Sequence, residues 1–367
     1  MFSAKVYRNL SRYIPFVIIW CVFGLTYSVV EYGILGDSKT YPSTGNQYDF
    51  ARNLGYVFPI TILMGITQGY IEMGWLKKRF QKTALWLKVI TKTIIYILFI
   101  IFFLLVLTTL NSMQTFSEGP FGEHVIEEFN NFFYDFAFWS IVMYTGLGAF
   151  FALVLSEIID YLGNEVFYNF LFGKYHEPIE EVRIFMFLDM KSSTTIAETI
   201  GHKKYFKLIS AYYSDMTDAI IDTYGEIYQY VGDEIVVSWK ADKGMTNNNC
   251  IQCFFKIEKA IENRKDFYLK TFGIFPEFRA GFHMGSVTTD EIGVLKKDII
   301  YTGDVLNTSA RIQAKCNTYD SKCIVSKASK DALMPDSNLQ FNHLGHLTLR
   351  GKQNTVELFD LKQDQTQ

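Results

Sequence analysis

The chain carries almost no excess of either charge. Its 35 lysines and arginines face 38 acidic residues, a formal net charge of −3 over 367 residues. Without a basic field to gather phosphates, no nucleic-acid partner is expected. Cysteine is scarce as well: Cys21, Cys250, Cys253, Cys316 and Cys323 are the five present. No disulfide framework follows from so few, four of them in the half read below as cytoplasmic, where disulfides are rare. The "CIQC" stretch has CxxC spacing, yet no second pair and no flanking histidine completes a zinc site. It falls within a helical pattern over 249–268 and reads as a buried helix face.

Apolar residues are abundant, 49% of the chain with 17% aromatic, and most of the excess precedes residue 160. Four runs are long enough to cross a bilayer, which requires about 20 predominantly apolar residues: 13–30, 54–74, 89–110 and 136–156. The first lacks a small-residue cleavage site before the polar segment at Asp37, so it is not a removable signal peptide. None of the six histidines falls in a run, which argues against a bis-histidine haem inside the bilayer. Lys5, Arg8 and Arg12 precede the first run, and Lys77, Lys78, Arg79, Lys82 and Lys88 separate the second from the third. The loop after the first run holds only Lys39 and Arg52, and the loop after the third has neither residue type. This asymmetry predicts a multi-pass protein of the inner or cell membrane, with both termini and everything after residue 160 cytoplasmic. Gly65 and Gly69 form GxxxG in the second run, a pattern that suits contact between two copies. Glu72, near that run's inner end, is expected to snorkel to the surface.

Three segments follow: a transmembrane domain over 1–156, a helical linker over 157–180 and a catalytic domain over 181–367. In the linker Ile158, Leu162, Val166 and Leu171 keep a helical stripe until Gly173 and Pro178 end it. Beyond Glu181 the pattern alternates strand and helix: a strand over 183–188, helix over 194–223 broken near Gly201, and two β-rich runs flanking Val231-Gly232-Asp233-Glu234. The order βαββαβ predicts a ferredoxin-like α+β domain. It brings Asp189, at the end of the first strand, close to Asp233 in the hairpin turn. Two carboxylates beside backbone carbonyls suit a pair of hard divalent cations. Ser192, Ser193 and Thr194 open a helix directly afterwards, and exposed N–H groups at a helix start suit phosphate.

The blocks "FLDMKSST", "YVGDEIVVSW", "FRAGFHMGSV" and "YTGDVLNTSARIQ" resemble, in order and spacing, those of a class III nucleotidyl cyclase domain over about 181–360. The resemblance implies a membrane-bound adenylate cyclase that converts ATP to 3′,5′-cyclic AMP and pyrophosphate. It implies two Mg2+ or Mn2+ ions per site on Asp189, Asp233 and the Met190 carbonyl. Asn307 and Arg311 match the ribose-orienting and transition-state residues; four apart on a helix, they share one face. Arg350 and Lys352 fall where the family places a triphosphate-binding lysine. Gln229 and Ile300 occupy the base-reading positions, where adenylyl cyclases usually carry Lys with Asp or Thr, so GTP stands as an alternative substrate. Family sites form between two domains, and this chain has one, so a homodimer is implied. A degenerate, non-catalytic cyclase fold acting as a receptor is the reading from a different class. A diguanylate cyclase is opposed by Val231 and by the Asn307/Arg311 pair.

Overall fold

The computed structural model describes residues 4–36, 38–40, 47–80, 83–348 and 355–364. It separates into a unit of Arg8–Tyr168 and a unit made chiefly of residues from Asn169 on.

In the first unit the apolar runs form α1 (Ala4–Leu35), α2 (Phe50–Ile71), α4 (Leu85–Phe116) and α6 (Phe136–Leu162). Each is long and apolar enough to cross a membrane. Helix α2 continues through a π-helical turn (Glu72–Leu76) into the short α3 (Lys77–Arg79), and the amphipathic α5 (Glu123–Tyr134) precedes α6. The surface is inverted relative to a water-soluble bundle. Leu98, Phe99, Phe102 and Phe103 of α4 are 50–68% exposed while Lys92 of the same helix is fully buried. Apolar side chains facing outward over such a length are stable against lipid, not water.

Two expectations change here. A Cβ on Gly65 would lie 2.6 Å from the Val17 Cα, and one on Gly69 would lie 2.7 Å from the Tyr13 ring. The GxxxG face is therefore occupied by α1 of the same chain, because only glycine lets the two backbones approach so closely. Glu72 does not snorkel. It sits on the π turn, 4% exposed, and pairs with Lys92. An ammonium group from a neighbouring helix meets the carboxylate inside the bundle, so neither has to reach water. Higher in the same interior the Trp20 indole N–H donates to Gln68 Oε1 (2.7 Å), and Gln68 Nε2 donates to the Ala149 carbonyl (3.2 Å).

Helix α7 (Asn164–Leu171) follows Gly163. The second unit then runs β1 (Ile179–Met190), α8 (Ser193–Ile200), α9 (His202–Asp222), β2 (Glu226–Val231), β3 (Glu234–Lys240), α10 (Ala241–Met245), α11 (Asn249–Glu262), α12 (Lys265–Phe272), β4 (Phe278–Ile292), β5 (Asp298–Thr302), α13 (Asp304–Lys315), β6 (Cys323–Ser326), α14 (Lys327–Ala332), β7 (Leu339–Thr348) and β8 (Thr355–Gln363). The sheet order is β2-β3-β1-β4-β6-β8-β7, with β5 on β4. Its first four strands are the ferredoxin-like set, each antiparallel to its neighbour. Alternation along β1 divides the core. Ile184, Met186 and Leu188 face Leu208, Tyr212 and Met216 of α9 and Phe254 and Ile257 of α11. Phe185 and Phe187 face the other side, with Val236, Val287 and Val305 of α13. Cys250 and Cys253 of α11 are buried in the first cluster, on the face that packs against the sheet.

Helix α13 lies very close to β4. A Cβ on Gly281 would meet the Gln313 backbone N at 2.3 Å, and one on Gly285 would meet Val305 at 2.7 Å. The two glycines are four apart, so they leave the same side of the strand. They form the groove that sets the position of α13.

Candidate active site

Asp189 is the penultimate residue of β1 and continues the Phe185–Phe187 row. Asp233 stands in the two-residue turn between β2 and β3, where Gly232 takes a left-handed φ of 64°. Only glycine adopts that φ without strain. The turn is braced from α9: the Tyr213 hydroxyl lies within hydrogen-bond reach of the carbonyl oxygens of Gly232 (3.0 Å) and Glu234 (3.1 Å). Because β1 and β3 are hydrogen-bonded neighbours, the strand end and the turn meet, and the two carboxylates face each other.

That meeting is electrostatically unfavourable as it stands. Burial, then the adjacent Asp233 and the Glu234 charge, push the Asp189 carboxyl up to about 7. Glu234 is raised by burial and by Asp233. Asp233 Oδ2 is buried without a hydrogen-bond partner, and no cation counters the pair among the causes acting on Asp189. Two close carboxylates with an orphaned buried oxygen fit a divalent cation, which takes oxygen ligands and offsets both charges. Among the described residues no three His, Cys, Asp or Glu side chains gather for a metal. The candidate set is accordingly the two aspartates with the Met190 carbonyl.

A cleft of about 310 Å³ opens beside Asp189. It is lined by Met190, Lys191, Ser192, Ser193 and Thr194 and, opposite them, by Arg279, Gln313 and Asn317. Ser192 has a left-handed φ of 58° and turns the chain from β1 into α8. Arg279 is the cross-strand partner of Asp189, so both side chains leave the sheet on one side. Its guanidinium is held by Asn317 and by Asp320 (2.9 Å). Sequence reasoning assigned Arg279 no role. Only the β1–β4 register, which sets it opposite Asp189, brings it to the cleft.

Asn307 and Arg311 do project from one face of α13, and both are exposed. Val305, Thr308, Ser309 and Ile312 bury the opposite face. Neither Asn307 nor Arg311 lines the cleft beside Asp189, which α13 approaches through Gln313. The chain thus presents the Asp pair and the Asn/Arg pair as two separate surfaces. Gln229 is exposed on β2 and Ile300 half-buried on β5. Their neighbours Tyr228 and Tyr301 touch, ring centroids 4.9 Å apart. Arg350 and Lys352 lie outside the described residues. His283 is held in β4 beside Ser326 Oγ (2.8 Å) and lies away from the cleft lining.

Comparison with known proteins gives the following. The family described as "Adenylate and Guanylate cyclase catalytic domain" matches residues 174–363. "Adenylate cyclase 2" of Rhizobium meliloti (strain 1021) is 32% identical over 209 residues, 57% of this chain and 58% of that one. "Adenylate cyclase 1" of the same organism is 24% identical over 182 residues, covering 48% and 27%. The chain thus spans less than two thirds of the length of these relatives. A solved bacterial light-regulated adenylyl cyclase aligns with a TM-score of 0.51 at 20% identity, over 62% of this chain and 65% of that one. At that identity the likeness concerns the fold alone.

Proposed function

Because the chain belongs to the class III adenylyl and guanylyl cyclases, we propose that it is a membrane-anchored adenylate cyclase working as a homodimer. The observation that carries this reading is the meeting of Asp189 and Asp233 beside the cleft opened by Ser192–Thr194. The relatives named adenylate cyclase support ATP as the substrate.

In this reading Asp189, Asp233 and the Met190 carbonyl would hold Mg2+ or Mn2+. Such ions, when bound, lower the pKa of a coordinated hydroxyl and neutralise phosphate charge. The N–H groups of the Ser192–Thr194 turn donate to the polyphosphate, and Arg279 adds a positive charge across the cleft. The ribose 3′-hydroxyl gives up its proton to solvent water and its oxygen bonds to the α-phosphorus. The bond from that phosphorus to the β-phosphate bridging oxygen breaks, and pyrophosphate leaves. Arg311 offers its planar fork to the α-phosphate as charge accumulates there, and Asn307 orients the ribose. Both come from the partner copy, which accounts for their exposure and their absence from the Asp189 cleft. Gln229 can donate and accept, so it reads the purine edge with less discrimination than a lysine. The Lys and Arg asymmetry supports a cytoplasmic position for this domain and both termini.

The test is purified full-length protein in detergent with Mg2+ or Mn2+ and each of the four NTPs, the product being identified by mass spectrometry. Cyclic AMP with ATP is the expected outcome. Cyclic GMP as the dominant product would make it a guanylate cyclase, and no cyclic product with any nucleotide would favour a non-catalytic receptor.

A further inference from the structure

The cyclase reaction makes no use of the ionised side chains inside the helical unit. Lys92 of α4 is fully buried. Its Nζ pairs with Glu72 on the π turn after α2 and lies 3.2 Å from Glu157 Oε1 of α6. Glu157 also receives Lys88 Nζ at 2.7 Å, and a turn further along α6 Asp160 pairs with Lys77 at 2.5 Å. Glu72 Oε2 is buried with no partner. Three features make this more than incidental packing. Ionised groups inside a membrane segment are costly and are retained where they act. A π turn inserts a residue into the ladder and concentrates at functional sites. Among the described residues, every ion pair that involves α6 falls in the last turns before Gly163, where α6 gives way to α7 and the catalytic domain.

We propose that Glu72, Lys92 and Glu157 form a charge lock that fixes the end of α6 to α2 and α4, and that cyclase turnover depends on it. The helical unit is then a regulator of the catalytic domain and not a passive anchor. The dependence of turnover on the lock rests on the proposed shared-site cyclase. A site divided between two copies requires its two halves to meet within a fraction of an ångström, and small misplacements are expensive in rate. With the lock closed, each α6 leaves the bundle in one arrangement. With it open, the ends of α6 sample several, and fewer encounters between the two halves are productive. The lock therefore acts on kcat, because nucleotide binding to each half is untouched. A membrane-borne stimulus that separates α2 from α6 has a ready route to the enzyme.

The experiment uses full-length protein in lipid nanodiscs. Lys92→Met keeps the length of the side chain and removes the charge. It is expected to lower kcat at least fivefold with KM for ATP within twofold, and to accelerate amide hydrogen exchange over 150–171. Lys92→Arg keeps both pairings and is expected to retain activity. If Lys92→Met does not fold, Glu157→Gln decides, with at least a threefold fall in kcat expected. A folded, dimeric Lys92→Met or Glu157→Gln with unchanged kcat and unchanged exchange overturns the lock. A wild type that makes no cyclic nucleotide overturns the proposed function instead, and the exchange measurement then decides whether the charge cluster holds α6.

Discussion

In the proposed reading Asp189 and Asp233 hold the metal as a pair, so removing either leaves the other without a function. Asp189→Ala and Asp233→Ala are each expected to lower kcat by about three orders of magnitude, the rate equivalent of several kcal/mol of lost charge stabilisation. The domain should stay folded, since each substitution relieves repulsion in the metal-free protein; circular dichroism with a nucleotide turnover assay checks both. The same repulsion predicts a pH dependence. The Asp189 pKa is about 7 in the fold against 3.8 for the free side chain. The native state therefore holds a proton that the unfolded chain has released. That contribution to stability is full below the unfolded value and is lost as pH rises through about 7. In EDTA the wild type should lose a few degrees of Tm, relative to Asp189→Asn, between about pH 5 and about pH 8. Mn2+ should restore more at the higher pH, as scanning calorimetry would report. At the base, Gln229→Lys with Ile300→Asp should sharpen the preference for ATP over GTP by about 1–3 kcal/mol, if one charged hydrogen bond is gained. The ratio of kcat/KM for the two nucleotides measures it, and an unchanged ratio would place base reading elsewhere.

At the scale of elements, the position of α13 depends on two glycines. Gly281→Ala inserts a methyl where the Gln313 backbone N would be 2.3 Å away. A backbone atom on a packed helix cannot swing aside as a side chain can, so α13 must move. Overpacking of this kind costs about 1–3 kcal/mol, and the displaced helix carries Asn307 and Arg311. Both the denaturation midpoint of the catalytic domain and kcat should fall. Gly285→Ala meets the Val305 side chain at 2.7 Å and no backbone atom, so it should displace α13 less and be milder on both measures. The element pattern of this domain was readable in advance because alternation in β1 and the Gly232 turn are local signals. The α13–β4 contact was not, because it joins residues 32 positions apart through backbone atoms that no hydropathy pattern records.

In the proposed reading the whole molecule completes its chemistry only as a pair. Asp189→Ala and Arg311→Ala chains are each expected to be inactive alone. Co-expressed, they are expected to form mixed dimers in which one of the two sites keeps all of its native groups. Activity should return to at most about half the wild-type value per mixed dimer, since one site in two is intact. Mixed dimers isolated by two affinity tags and still at background would rule out a shared site.

The length of each apolar run, the scarcity of Lys and Arg in two loops, the strand ending in Asp189 and the turn holding Asp233 could all be read from the chain. Each depends on residues near one another in sequence, where helix and strand periodicity act directly. What Glu72, Gly65 and Arg279 do could not be read in this way. Glu72 reads as a snorkelling carboxylate until α4 places Lys92 against it. Gly65 and Gly69 read as a contact between copies until α1 occupies their face. Arg279 has no evident task until the β1–β4 register sets it opposite Asp189. A buried charge is tolerated only where a partner arrives, and a glycine groove is filled by whichever backbone comes close. Only the packing of distant segments decides which neighbour that is.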